Sequence, residues 1–550
     1  MRGRSYGAAA PRAPDEAPRW PPQVPQPSFI LNNFSPKGSL VTARLVAITG
    51  VTHYFRRMLH RSGTRVPGVH MVLQAQRQQR FFRRPLFRRT DRNNMATKTA
   101  EREQWGSRLG FVLAAAGSAI GLGNIWRFPY LAGEGGGGAF VLVYLLCVLL
   151  IGMPYLYAEL SLGRNSQRNP VGAIKSITGS GSAWILVGGF CVLAGFVILS
   201  YYSVVAGWAV GYAVKDVIAP SMGFQEFAAS PGLVIALLGV FLLLTFLVVA
   251  GGIEEGIERW AKILLPILFV LILLIIFRAV TLEGAMEGLA FYLVPDFSAI
   301  TFDLFIAALG QAFFTLSLGM GAMITYGSYL PKREDIAISG VYVVLFNTLI
   351  ALMAGLMIFP AIFAMGADPE TGPALVFVVL PKVFSQMPLG GLVSVLFFLL
   401  LSIAALTSSI SLLEVVVSYF VDEKQWSRQK AVWLVGVVVF LMAIPSALSQ
   451  GASGAFSDMS YLFGESGLFG QNNFLGILDY LIGSAGLAVG AFFLSIFISW
   501  VWGADHAAEE LVQGSDVMTQ RLVRAWTFMM RYVIPVVVFG IVMGYAFGIL

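Results

Sequence analysis

Stretches of about 20 apolar residues recur along this chain, and each is long enough to cross the roughly 30 Å hydrocarbon core of a bilayer as a helix. Lipid offers no water to backbone N–H and C=O groups, so a spanning segment must be a helix or part of a closed barrel. Barrel strands run about 10 residues and alternate in polarity, a pattern missing from this sequence. The chain therefore reads as an all-α polytopic membrane protein. Its composition agrees, with 57% hydrophobic and 12% charged residues and a mean hydropathy of +0.75.

Eleven spans are expected, at about 108–132, 138–162, 183–213, 232–250, 257–278, 302–329, 336–364, 389–420, 430–447, 474–501 and 524–549. Arg and Lys gather at alternate ends, as in Arg102 and Arg108, Arg164 and Arg168, Arg259 and Lys262, Lys332 and Arg333, Lys424 and Arg428, and Arg521 and Arg524. Because basic loops stay cytoplasmic, the N-terminus is expected inside and Leu550 outside, in a multi-pass protein of the cell (inner) membrane.

The net charge of +7 belongs to one end of the chain. Residues 1–94 carry 17 Arg and Lys against three acids, whereas residues 95–550 carry 20 basic and 27 acidic side chains. A basic arm can attract nucleic acid or anionic lipid. This one is rich in Pro and Arg and without periodicity, so it reads as disordered, and as upstream sequence from a misassigned start, with Met95 opening the membrane body. No nucleic-acid partner is expected. Cys147 and Cys191 both fall in apolar runs, and His506 is the only histidine after residue 94. A haem or multi-histidine metal centre in the spans has no ligands to draw on.

Two spans are interrupted. The first contains Gly117-Ser-Ala-Ile-Gly-Leu-Gly-Asn124 and the sixth Thr315-Leu-Ser-Leu-Gly-Met-Gly321. One such segment is ordinarily a site of close helix packing. Two in register, five spans apart and flanked by hydroxyl and amide residues, point instead to broken helices in a five-plus-five repeat. Unwound backbone in a membrane needs a cavity or ligand to satisfy it. The freed carbonyls suit Na⁺, and half-helix N-termini suit a carboxylate.

Several runs carry a resemblance: Arg108-Leu-Gly-Phe, Gly117-Ser-Ala-Ile-Gly-Leu-Gly-Asn-Ile-Trp-Arg-Phe-Pro129, the stretch from Gln311 to Gly321, Gly256-Ile-Glu-Arg-Trp-Ala-Lys262 and Leu406-Thr-Ser-Ser-Ile410. From about Arg102 to the C-terminus the chain resembles the neurotransmitter:sodium symporter family, and within it the bacterial transporters of leucine and other hydrophobic amino acids. The resemblance implies repeat one at about 108–278, repeat two at about 302–501, an extra helix at about 524–549, and function as a monomer.

It also implies two sodium ions. The first site would use Ala119, Asn124, Thr315 and Asn347 with the substrate carboxylate, and the second Gly117, Ile120, Ala404, Thr407 and Ser408. The amino-acid substrate would touch Ser118, Ala119, Gly121, Leu122, Gly123, Tyr202, Thr315, Ser317 and Ser408. Its side chain would lie among Ile198, Phe314, Met320 and Leu412. Relatives that carry amines without a carboxylate have aspartate at the Gly121 position. Arg127 and Asp479 resemble an outer gate, and Arg102 and Asp422 an inner gate flanked by Trp105, Ser328 and Tyr329. Glu159 resembles a second-span acid that accepts hydrogen bonds from the broken sixth helix, and Gly256 with Pro266 a pattern that lets the fifth span unwind. Glu414 reads only as a satisfied buried acid. Chloride dependence stays open, because the position that holds a hydroxyl or carboxylate in relatives is Ala351 here, although Tyr144, Gln311 and Thr315 match.

The function expected is sodium-coupled symport of hydrophobic or aromatic α-amino acids by alternating access. The rival is a proton-coupled transporter of the same fold. A channel is disfavoured by two opposed gates, and an enzyme by the lack of a nucleophile–base pair in the spans.

Overall fold

Short polar residues set where the spans begin. Ser107 accepts the Gly110 N–H at 3.0 Å, Thr301 that of Leu304 at 3.1 Å and Asp335 that of Ile338 at 3.0 Å, each capping a helix whose first N–H groups have no partner of their own. The computed structural model describes residues 102–218, 222–369, 375–464, 467–468 and 470–547. The basic leader, Met95 and Leu550 lie outside the described residues.

Among the described residues nine continuous helices are long and apolar enough to cross a membrane, and no strand is present. The pair Arg108–Ala119 and Gly123–Glu134, bent by 50°, makes a tenth span. Phe302–Thr315 followed by Ala322–Gly327 is the broken sixth span and brings the bundle to the expected eleven. The others are Gly138–Ser166, Ile185–Lys215, Pro231–Ala250, Ile253–Val280, Ile336–Ala364, Gly390–Lys424, Arg428–Leu448, Phe474–Val512 and Gln520–Ala546.

Two boundaries depart from the sequence reading. The tenth span runs on past Gly503, whose φ of 96° turns the chain into a further helix, Ala504–Val512, packed against the second span. The fifth begins at Ile253 rather than near 257, in a wide turn holding Gly256, and stays helical through Pro266.

The third and eighth spans pack along each other beside both broken helices. Close approach at the second and sixth spans needs glycine, since a Cβ on Gly327 would lie 2.6 Å from the Leu160 carbonyl oxygen. Large apolar side chains such as Leu150, Leu186 and Leu441 face outward, as a lipid-facing surface requires. Buried polar groups gather at mid-bundle, including Ser118, Asn124, Thr315, Asn347 and Ser411. The breaks therefore sit inside protein, where unsatisfied backbone finds partners.

Candidate functional site

The first span stops at Ala119. Ile120 leaves the helix (φ −81°, ψ 101°), and helical turns resume at Gly123. Asn124 bridges the gap, its Oδ1 accepting the Gly121 N–H at 3.1 Å. In the sixth span Ser317, Gly319 and Gly321 all take left-handed φ values of 54°, 81° and 76°. Glycine does so without penalty, but a serine is strained there. Ser317 is held by its own hydroxyl, which donates to the Ser118 carbonyl at 2.9 Å, so the two breaks are tied to each other. Glu159, wholly buried, accepts the Gly319 N–H at 2.7 Å, the contact expected of that acid.

Residues expected at the first sodium site converge. One arm of the Asn347 amide lies 2.8 Å from Asn124 Nδ2, 3.1 Å from both the hydroxyl and carbonyl oxygens of Thr315, and 3.3 Å from the Ala119 carbonyl. With its nitrogen on that arm the amide supplies protons to these oxygens. With its oxygen there, the cluster is short of donors and fits a hard monovalent cation.

The expected second site converges too. Thr407 Oγ1 is 3.2 Å from the Ile120 carbonyl and 2.9 Å from that of Ala404. Ser408 Oγ lies 3.5 Å from the Gly117 carbonyl, 2.9 Å from Ser118 and 3.3 Å from Ile120. Each hydroxyl carries a single proton, so two hydroxyls facing four carbonyls leave oxygens in excess. A cation suits that donor set, and none of its members is charged.

Between these clusters is a cavity of about 30 Å³ lined by Ser118, Ala119, Gly121, Gly123, Ile198, Tyr202, Phe314, Ser317, Met320, Ser408, Ser411 and Leu412. The Leu122 N–H donates to Tyr202 Oη at 3.2 Å. Gly121 has no room for a side chain, since a Cβ there would stand 2.8 Å from Tyr202 Oη. Phe314 closes against Gly123, where a Cβ would come within 2.9 Å of its ring. Leu122 and Thr315 meet the site through backbone and sodium-cluster atoms rather than as cavity walls.

At the basic end of the bundle Arg102 pairs with Asp422 at 2.5 Å, donates to Ser328 Oγ at 2.6 Å and lies 4.5 Å from the centre of the Tyr329 ring. Trp105 donates from Nε1 to the Tyr326 carbonyl at 3.0 Å and from its backbone to Tyr329 at 3.2 Å. At the opposite end Arg127 and Asp479 make no ion pair within 4.0 Å. Arg127 instead lies over the Phe314 ring, 4.8 Å from its centre.

Sequence reasoning did not give the partners of three residues. Ser411 lines the cavity, and its hydroxyl accepts from Ser118 Oγ at 2.7 Å. Glu414 is the satisfied buried acid expected, and its partners extend the basic-end network: it pairs with Arg428 and accepts the Tyr329 hydroxyl at 2.5 Å. Arg164, fully buried, pairs with Glu510 at 2.7 Å and ties the second span to the tail of the tenth. Tyr144 is fully buried, and Gln311 Nε2 donates to the Gly123 carbonyl at 2.7 Å while its Oε1 is buried without a hydrogen-bond partner among the described residues.

Comparison with known proteins follows the same residues. The model of the sodium:neurotransmitter symporter family matches residues 102–220 and 219–548. An uncharacterized sodium-dependent transporter, YhdH of Bacillus subtilis (strain 168), is 41% identical over 444 residues, covering 79% of this chain and 96% of the relative. An uncharacterized sodium-dependent transporter of Methanocaldococcus jannaschii is 33% identical over 469 residues, covering 80% of this chain and 90% of the relative. Among solved structures, the crystal structure of MhsT in complex with L-phenylalanine is similar with a TM-score of 0.72 and 42% identity, over 81% of this chain and 100% of MhsT.

Proposed function

The chain belongs to the sodium:neurotransmitter symporter family, and from that premise we propose that it drives uptake of hydrophobic or aromatic α-amino acids with sodium by alternating access. It is a sodium-dependent, multi-pass membrane transporter and not an enzyme. One observation carries the finer reading: two broken spans surround a single cavity with neutral oxygens and unwound backbone on one side and Ile198, Phe314, Met320 and Leu412 on the other.

The substrate's chemistry follows from that division. Gly121 leaves no space for an acidic side chain, so the negative charge near the first oxygen cluster comes with the substrate as its carboxylate. The Leu122 and Gly123 amides at the start of a helix suit that group, with Tyr202 beside it. The amino group meets the Ala119, Phe314 and Thr315 carbonyls. A charged side chain would lie unpaired against the apolar wall at a cost of several kcal/mol. Met320 is flexible enough to accept different shapes, and the structural relative seen with L-phenylalanine supports a large apolar side chain.

In this reading Ala119, Asn124, Thr315 and Asn347 hold one sodium, and Gly117, Ile120, Ala404, Thr407 and Ser408 the other. Tyr202 and Phe314 form the lid over the substrate. The Arg102–Asp422 network closes the cytoplasmic side, where the basic loops lie, and Arg127 and Asp479 guard the outer one. A competition panel against labelled leucine in proteoliposomes tests the substrate class. Leucine, methionine, phenylalanine, tyrosine and tryptophan should compete at one site. Strong inhibition by glutamate, lysine or decarboxylated amines would overturn the assignment.

A further inference from the structure

A groove of about 510 Å³ opens on the outer face of the bundle between the third, eighth and ninth spans and shares no lining residue with the substrate cavity. Its wall is apolar apart from Tyr419. Along the third span it runs from Ile185 to Phe196, about 16 Å at 1.5 Å per residue, roughly the depth of one leaflet of a 30 Å core. Leu186, Leu193, Leu434 and Val438 stand exposed along it. Gly189 leaves its floor open, since a Cβ there would meet nothing within 4 Å.

The charge at its mouth has one sign in excess. Lys430 begins the helical face that continues as Leu434 and Val438, and its ammonium lies 4.6 Å from the centre of the Trp426 ring. That ring stacks on Phe420, itself a groove residue, with centroids 4.6 Å apart. Val171, at the same rim, precedes Lys175 by one helical turn. Lys175 and Arg168 share a single carboxylate, Glu423, at 2.9 and 3.8 Å. An apolar channel of one-leaflet depth with a cationic rim is complementary to an acyl chain carrying a negative headgroup.

We propose that this groove binds an anionic phospholipid, with one acyl chain over Gly189 and the phosphate against Lys430. The eighth span makes the site matter, because Tyr419 and Phe420 lie between Glu414 and Asp422 of the basic-end network. A chain seated there braces that end shut.

Native mass spectrometry of the purified full chain, titrated with phosphatidylglycerol or phosphatidylcholine, tests the proposal. The unaltered protein should retain phosphatidylglycerol in preference to phosphatidylcholine. Lys430→Gln should weaken phosphatidylglycerol about fivefold, the effect of one basic residue at an anionic surface, and leave phosphatidylcholine unchanged. Gly189→Leu should weaken both lipids. Sodium-dependent leucine binding, kept by both variants, certifies the fold, as neither residue touches the substrate cavity. Equal retention of the two lipids, or an unchanged phosphatidylglycerol affinity in Lys430→Gln, would overturn the proposal. So would a dimer that Gly189→Leu dissolves, which would give the groove to a second copy of this chain.

Discussion

The two ends of the bundle are closed by different means. At the basic end Arg102 bonds Asp422 and Ser328, Tyr329 and Arg428 bond Glu414, the two groups meet where Arg102 lies over the Tyr329 ring, and Asp422 takes two further bonds from Asn169 at 2.8 and 3.1 Å. At the other end Arg127 reaches no carboxylate within 4.0 Å among the described residues; it lies over the Phe314 ring, and its charge also acts on Tyr130, Tyr545 and, through space, Asp479. Charge-assisted hydrogen bonds in direct contact resist separation more than a cation–π contact backed by through-space attraction does. The chain is therefore latched at one side and merely lidded at the other.

The largest effect should come from cutting that latch at its buried core. Glu414→Ala takes from Arg428 its fully buried carboxylate and leaves it the Val249 carbonyl and the half-exposed Glu103 at 3.6 Å, so the loss should approach the roughly 3–5 kcal/mol of a broken buried pair. Heat stability of the purified protein should fall sharply, and much further than in Asp479→Ala. Equal losses in the two variants would erase the contrast between the ends.

A second change separates the site from both gates. Thr407→Val keeps the shape of the side chain and removes one oxygen from the second cluster. A hydrogen bond to a charged group is worth about 1.5–3 kcal/mol, so the sodium concentration for half-maximal leucine binding should rise roughly tenfold or more. An unchanged sodium dependence would mean that the cluster does not bind the ion.

Double-mutant cycles give the smallest but sharpest comparison. Arg102 and Asp422 are in direct contact and should couple by about 1–3 kcal/mol, whereas Arg127 and Asp479, which attract each other only through space, should couple more weakly. Cycles read from transport rates check this, and a stronger coupling at the Arg127 end would reverse the assignment of latch and lid.

Both helix breaks were legible in the sequence because their signal is local: Gly-x-Gly with neighbouring hydroxyls, repeated five spans apart. The oxygen clusters were legible only through the family resemblance, since Thr407 and Ser408 also bond carbonyls of their surroundings as ordinary membrane-helix residues do. Ser411 escaped notice for that reason. It donates to Ser408 within its own helix at 2.8 Å, and its bond with Ser118, 293 residues away, leaves no trace in the local pattern. Arg164 and Glu510 are separated by 346 residues. The charges at the outer end were easy to pick out, but that Arg127 lies over the Phe314 ring is a matter of packing that no spacing encodes.

The central claim is that the two neutral oxygen clusters couple transport to sodium. Uptake of labelled leucine into proteoliposomes, with external sodium replaced by choline under a constant inward proton gradient, tests it most directly. The account predicts concentrative uptake in sodium and none in choline. Equal accumulation in choline, driven by protons alone, would contradict it.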